Sequence, residues 1–173
     1  MFMKKILLFL LLVFASGILT VNAQNKSIYF NKGYRADIQI GKVIDNTMLY
    51  SVTTSHGHSF GNGLYLGGGT GLYFGNSNFK ENKFRVSTPV FAEIKYSFLN
   101  KLASPFIGAK GGGFFDYTDS GCGYIIRPYI GVDIWRFSVS VGWDHTRCTY
   151  GGYDNSKTRV GNSGISIGLS YNF

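Results

Sequence analysis

The sequence predicts an all-β protein: an eight-stranded antiparallel up-and-down β-barrel whose strands cross a membrane. Apolar and polar residues alternate with period two in segment after segment, as they do in strands with two different faces. The composition is rich in glycine and aromatics, with 24 Gly, 15 Phe and 12 Tyr in 173 residues, and only 15% of residues are charged. The one apolar run long enough to suggest a membrane helix lies at the N-terminus.

Residues 1–23 are predicted to be a cleaved signal peptide. Lys4 and Lys5 precede the apolar run Ile6–Phe14, and small residues lead from there to Ala23. That order of charge, apolar run and small residues is typical of secretory signals. We therefore expect an exported protein whose barrel domain is residues 24–173.

The strands are clearest where the alternation is strict. In "PVFAEIKYSF", Val90 and Ile94 share one face while Glu93 and Lys95 share the other. The same pattern occurs in "YRADIQIG", "IRPYIGVDI", "FSVSVGWD" and the C-terminal "GISIGLSYNF", and more weakly in Met48–Ser55, Leu64–Phe74 and Ile107–Phe115. These segments add up to eight strands.

Eight such strands fit either a soluble barrel with an apolar interior or a membrane barrel with an apolar exterior. Long polar connections at Gly75–Thr88, Asp116–Gly123 and His145–Arg159 alternate with short ones, which favours the membrane barrel with these three segments as extracellular loops. Aromatic residues in these loops are candidate contact points or interfacial anchors. They are Phe79, Phe84, Tyr117, Tyr150 and Tyr153.

In a membrane barrel the polar faces line the lumen, because a Lys or Arg on the lipid face costs about 2–4 kcal/mol at mid-depth. The predicted lumen then contains four basic and four acidic side chains, which can neutralise one another. They are Arg35, Lys95, Lys110, Arg127, Asp37, Glu93, Asp133 and Asp144. An eight-stranded barrel is just wide enough for side chains to fill, so this set predicts a salt-bridged plug rather than an open pore.

The last strand resembles the assembly signal of outer-membrane barrels, with Ile167, Leu169, Tyr171 and a terminal Phe173 on one face. The chain is similar to small barrels of the OmpA/OmpX type and to the outer-membrane β-barrel-domain proteins of Bacteroides-type bacteria. The likeness rests on "GYRADIQIG", "TTSHGHSFGNGLYLGGGTGLYF", "PVFAEIKYSF" and "SPFIGAKGGG". It implies location in the cell outer membrane and recognition by the barrel-insertion machinery.

Few residues suggest chemistry. Cys122 and Cys148 fall in two predicted outer loops on the same side, and export permits a disulfide between them. His56 and His58 share a strand face, but they lack the further ligands of a metal site, and interfacial placement is the simpler interpretation. No G-x-S-x-G motif or catalytic constellation is present, so we expect neither an enzyme nor a cofactor.

The net charge of +8 favours anionic lipid over nucleic acid, because no contiguous basic stripe is present. Four basic residues are predicted on the periplasmic side, namely Lys26, Lys32, Lys101 and Arg136. The expected partners are outer-membrane lipids and lipopolysaccharide, and the expected state is a monomer.

The sequence thus predicts an integral outer-membrane barrel with a filled lumen and a structural and surface-interaction role. A narrow pore or transporter, a lipid-modifying enzyme and a soluble binder of a hydrophobic ligand are the alternatives.

Overall fold

The computed structural model describes residues 27–44, 48–77, 83–118, 120–151 and 157–173, and the predicted signal peptide lies outside these ranges. A 3₁₀ turn at Ile28–Phe30 precedes the strands. The strands are β1 (Gly33–Ile44), β2 (Met48–Ser59), β3 (Leu64–Ser77), β4 (Lys83–Ser97), β5 (Ala103–Asp116), β6 (Gly121–Ile134), β7 (Phe137–Gly151) and β8 (Lys157–Asn172). No helix within these ranges is long and apolar enough to cross a membrane.

The eight strands of the described chain form a closed barrel in which each strand pairs antiparallel with its sequence neighbours. Strand β8 closes the barrel against β1, in register from Asp37 opposite Asn172 to Ile44 opposite Ile165. Two backbone hydrogen bonds extend this seam by joining Ala36 and Phe173, at 3.0 Å and 2.9 Å. The predicted fold class is therefore confirmed.

Alternation along the strands gives the wall an apolar outside and a polar inside. Val90 and Ile130 on the outer face are 65% and 62% exposed, whereas Glu93 and Asp133 on the inner face are 6% and 1% exposed. An apolar belt of this extent on a closed surface indicates contact with lipid or protein rather than with water. The interior is built mainly from charged side chains, hydroxyls and aromatic rings, with a few aliphatic side chains such as Ile125.

The strands are longer than the sequence predicted, and the connections are shorter. The 16 residues of β8 measure about 50 Å, which at a tilt of about 35–45° exceeds an apolar band of about 25 Å. Most of Gly75–Thr88 and His145–Arg159 and half of Asp116–Gly123 are strand, so their prediction as long loops is wrong. At that rim the connections are only 45–47, 78–82, 117–120 and 152–156, about as short as 60–63, 98–102 and 135–136 at the other.

Candidate functional site

The charged side chains of the interior form clusters stacked along the barrel axis. The lower cluster lies at the rim that carries the first and last described residues, and it is centred on Asp133. Lys95 Nζ lies 2.6 Å from Asp133 Oδ1, and Ser97 Oγ donates to Oδ2 at 2.9 Å. Ser138 Oγ donates to Oδ1 at 2.5 Å. Both carboxylate oxygens are thus satisfied in a site almost free of solvent, as a buried charge requires.

Tyr29, from the 3₁₀ turn, closes the lower cluster from below. Its hydroxyl donates to Asn172 Oδ1 at 2.7 Å, and its ring lies 4.2 Å from the Lys95 ammonium. Ser59 Oγ donates to the Tyr29 carbonyl at 2.7 Å, which fixes the turn against β2. The segment before the first strand therefore forms a lid on this end of the barrel, which the sequence pattern did not predict.

The middle cluster connects β1, β4, β5 and β6. Lys110 Nζ donates to Gln39 Oε1 at 2.8 Å and lies 3.6 Å from Glu93 Oε1. The Tyr129 hydroxyl donates to that same Glu93 oxygen. Gly108 makes room for the Tyr129 ring, because a Cβ at this position would collide with it.

The upper cluster consists of Arg127, Asp144 and Tyr73. Arg127 Nε donates to Asp144 Oδ2 at 2.7 Å, and Nη2 donates to the same oxygen and to the Tyr73 hydroxyl, the latter at 3.0 Å. Further toward the far rim, Arg85 Nη1 lies 3.8 Å from Asp116 Oδ2. This fourth pair was not predicted, and it adds one charge of each sign.

Two of the eight predicted lumen residues lie outside these pairs. Arg35 donates from Nε to the Ile28 carbonyl and from Nη1 to the Tyr34 carbonyl, each at 3.2 Å, so it holds the 3₁₀ turn rather than a carboxylate. Asp37 faces the interior and is buried, but its Oδ1 has no hydrogen-bond partner among the residues that the structure describes. Asp37 is therefore less well satisfied than Asp133.

Little space remains between the clusters. A cavity beside Gln39, Lys110 and Arg127 measures about 10 Å³, and another beside Tyr73 and Asp144 measures about 10 Å³. A single water needs roughly 10–15 Å³ by this measure. Each cavity thus holds about one water, which is far from an ion pathway.

The predicted disulfide is absent, because Cys122 and Cys148 lie on opposite faces of the wall. They belong to β6 and β7 rather than to loops, and Gly123, not Cys122, lies opposite Cys148. Cys122 is exposed on the outer face and Cys148 is buried on the inner face. A bridge would require a shift of register by one residue, which would also reverse the other side chains of a strand.

His56 and His58 share the outer face of β2, as the alternation predicted. The ring nitrogens of His56 are both occupied, by the Tyr34 hydroxyl at 2.5 Å and the Thr54 hydroxyl at 3.0 Å. His58 packs edge-on against Phe60. Among the described residues, no group of three His, Cys, Asp or Glu side chains is placed to hold a metal ion.

The predicted aromatic contact residues have different positions. Phe84 is exposed on β4 and Tyr117 is exposed in the turn after β5. Phe79 and Tyr153 lie outside the described residues, as does the side chain of Tyr150. At the opposite rim Lys32, Lys101 and Arg136 are exposed, and Lys26 lies outside the described residues.

A histidine and a serine meet on the outer wall, a contact that sequence reasoning missed. His145 on β7 lies opposite Ser163 on β8, and the Nδ1 to Oγ distance is 2.8 Å. Asp144, its sequence neighbour, points inward to Arg127. Only the register between two strands far apart in sequence could have revealed this pair.

No protein-family model matches this chain, and no curated protein matches it by sequence. Solved structures do share its fold. The outer membrane enzyme PagL matches with a TM-score of 0.57 and 16% identity, over 79% of this chain and 98% of that chain. Neisserial surface protein A matches with a TM-score of 0.51 and 16% identity, over 81% of this chain and 96% of that one.

The N-terminal β-barrel domain of Pseudomonas aeruginosa OprF gives a TM-score of 0.48 at 13% identity, over 83% of this chain and 100% of that domain. At these identities the likeness concerns the fold alone. The chain is a closed antiparallel eight-stranded β-barrel similar to small barrels of outer-membrane proteins.

Proposed function

We propose that this protein is an integral outer-membrane barrel with a non-conducting interior, and that its role is structural, with its projecting strand ends available for surface contacts. The observation that carries the proposal is the inverted polarity of the wall. Ion pairs such as Lys95 with Asp133 fill the interior, while Ile130 and its outer neighbours are exposed. A soluble barrel would reverse this arrangement.

The proposed orientation places the 3₁₀ turn and Phe173 in the periplasm and the connections 45–47, 78–82, 117–120 and 152–156 outside. Strands β7 and β8 then project beyond the apolar belt into the extracellular space. At the periplasmic rim Lys32, Lys101 and Arg136 lie beside the membrane surface, where basic residues attract anionic head groups. These positions support contact with membrane lipid, which the sequence also predicted.

Two measurements on the reconstituted protein test the proposal. A membrane barrel should float with lipid vesicles and should migrate differently on gels before and after boiling. In a planar bilayer it should show no steady conductance, because the described interior is occupied by bonded side chains. Stable channels would contradict the filled lumen, and a protein that remains soluble without detergent would contradict the membrane assignment.

A lipid-modifying activity is the second candidate, and the His145–Ser163 contact favours it. The similar fold of the outer membrane enzyme PagL makes the question worth testing. A hydrolytic triad also needs a carboxylate that orients the histidine, and within the described chain the adjacent Asp144 bonds Arg127 instead. Under our proposal, overproduction of wild type and Ser163→Ala should leave the same lipid profile, whereas a change seen only with wild type would favour the enzyme.

A further inference from the structure

The outer wall changes from apolar to basic along two neighbouring strands, β7 and β8. On β7, Trp143 is the last large apolar residue before His145 and Arg147. Strand β8 runs in the opposite direction, and on it Ile165 is followed toward the same rim by Ser163 and Arg159. The change occurs at the same height on both strands, because Trp143 lies opposite Ile165 and His145 lies opposite Ser163.

Above this level the register brings two arginines onto one surface. Arg147 lies opposite Gly161, and the next outward pair is Thr149 and Arg159. With Cys122 and Tyr124 of β6, these side chains line an open concavity of about 470 Å³. We call Tyr124, Arg147, Thr149 and Arg159 the rim patch.

No described carboxylate competes for the rim patch. The acidic residues that the structure describes all lie buried on the inner face; they are Asp37, Glu93, Asp116, Asp133 and Asp144. Both arginines are exposed, and within the described ranges neither makes an ion pair. As far as the described residues show, the rim patch thus presents two guanidinium groups without a carboxylate partner to whatever lies beside the barrel.

The position of the patch decides which anion it meets. It begins directly above Trp143, a residue that is 52% exposed at the edge of the apolar belt. An indole at such an edge is typical of the head-group level of a bilayer. Guanidinium groups bind phosphate oxygens through paired hydrogen bonds. Tyr124 and the hydrogen-bonded His145–Ser163 pair add polar groups between the arginines and the belt.

We propose that the rim patch binds the phosphorylated head group of a lipid in the outer leaflet, whose acyl chains then lie along the apolar belt beneath it. This inference rests on the proposed membrane location and deepens it, because it assigns one lipid class to one sector of the wall. The rest of the rim lacks an equivalent among the described residues: Lys42, on the outer face of β1, lies over the Tyr50 ring at 5.2 Å.

The test compares lipid A that carries its phosphates with the same lipid after dephosphorylation. The full chain is reconstituted in vesicles of zwitterionic phosphatidylcholine, and the affinity for each lipid is measured by native mass spectrometry after gentle release. Wild type should retain the phosphorylated lipid preferentially. Arg147→Gln with Arg159→Gln should lose about fivefold in that preference for each arginine removed.

Lys32→Gln with Lys101→Gln is the matched control, because it removes the same charge from the opposite rim. With the lipid A confined to the leaflet that holds the rim patch, this control should keep the preference of wild type, because its two lysines face the other leaflet. Equal losses in both double variants would show attraction by net charge and would overturn the proposal, as would a wild type that binds the two lipids equally. If the double arginine variant does not fold, the two single arginine variants are compared with wild type instead. Each should lose about fivefold in its preference for the phosphorylated lipid.

Failure of the membrane assignment would look different. In that case wild type would not float with vesicles of either composition, and both the proposed function and the rim patch would be rejected together. A protein that inserts but ignores the phosphates would reject the rim patch alone.

Discussion

The interior and the outer wall of this barrel are separated by one layer of backbone, yet they treat charge in opposite ways. Inside, most of the described acids and bases form pairs, as Lys95 does with Asp133 and Arg127 with Asp144. Outside, the described charges are basic and lie at the edges of an apolar belt. The difference teaches that alternation with period two can give one wall two electrostatic roles. The inner charges neutralise one another, and the outer charges remain available to attract anions.

Two arginines show this contrast most directly. Arg127 is buried, and its guanidinium is shared between a carboxylate and a tyrosine hydroxyl. Arg147 is exposed on the next strand and has no carboxylate partner among the described residues. The first arginine contributes to the stability of the barrel, and the second is available for binding.

The largest expected effect comes from removing the charge of Asp133, whose two carboxylate oxygens both have partners. Asp133→Asn should lower the free energy of unfolding by about 3–5 kcal/mol, because it leaves the buried Lys95 ammonium without its counter-charge. Asp37→Asn makes the same chemical change at a carboxylate that lacks one hydrogen bond, and should cost less than about 1 kcal/mol. Reversible denaturant unfolding from lipid vesicles measures both, and equal losses would contradict the distinction between these acids.

A somewhat smaller effect should follow from placing a charge in the apolar belt. Ile130→Arg should cost about 2–4 kcal/mol if this position lies at mid-depth in a bilayer. Asn76→Arg introduces the same side chain on the outer face near the projecting end of β3, where the cost should fall to about 0–1 kcal/mol. The same unfolding measurement decides, and if Ile130→Arg is no worse than Asn76→Arg, the belt does not face lipid.

The smallest effect on the finished barrel should come from Phe173→Ala. The Phe173 side chain is exposed, so its removal should change the free energy of unfolding by about 0.5 kcal/mol or less. If it belongs to an assembly signal, the yield of inserted protein in cells should nevertheless fall severalfold. Quantifying the heat-modifiable form in membranes, beside Tyr34→Ala as an exposed aromatic control at the same rim, separates assembly from stability.

The alternation was sufficient to predict the strands and which of their side chains point inward or outward, because burial of one face constrains every second residue. It could not predict where the strands end. The outer halves of β3 and β7 mix polar and small residues, as "HTRCTY" in β7 does, and such a mixture is equally typical of a loop. The cysteines illustrate the consequence, since their placement on opposite faces depends on a register that spacing alone does not give.

The interior charges could be predicted as a set but not as pairs. Lys95 on β4 reaches Asp133 on β6 across the barrel, and Arg127 meets Asp144 because the register of β6 and β7 places the two residues opposite each other. The lid was equally hidden, because Tyr29 precedes the first alternating segment and its contacts with Asn172 and Lys95 are distant in sequence. Long-range geometry, rather than residue type, determines both features.

The seam between Ala36 and Phe173 also determines when this barrel can exist. The two residues that exchange backbone hydrogen bonds there lie in the first strand and directly after the last one, so closure must wait until the whole intervening chain has been synthesised. Until then β1 has an unpaired edge, which is open to aggregation. Bringing the first and last strands together makes folding slow, because the chain loses conformational entropy before the hydrogen bonds of the seam compensate for that loss. The unfinished chain therefore has to be kept apart from its copies until β8 has been synthesised.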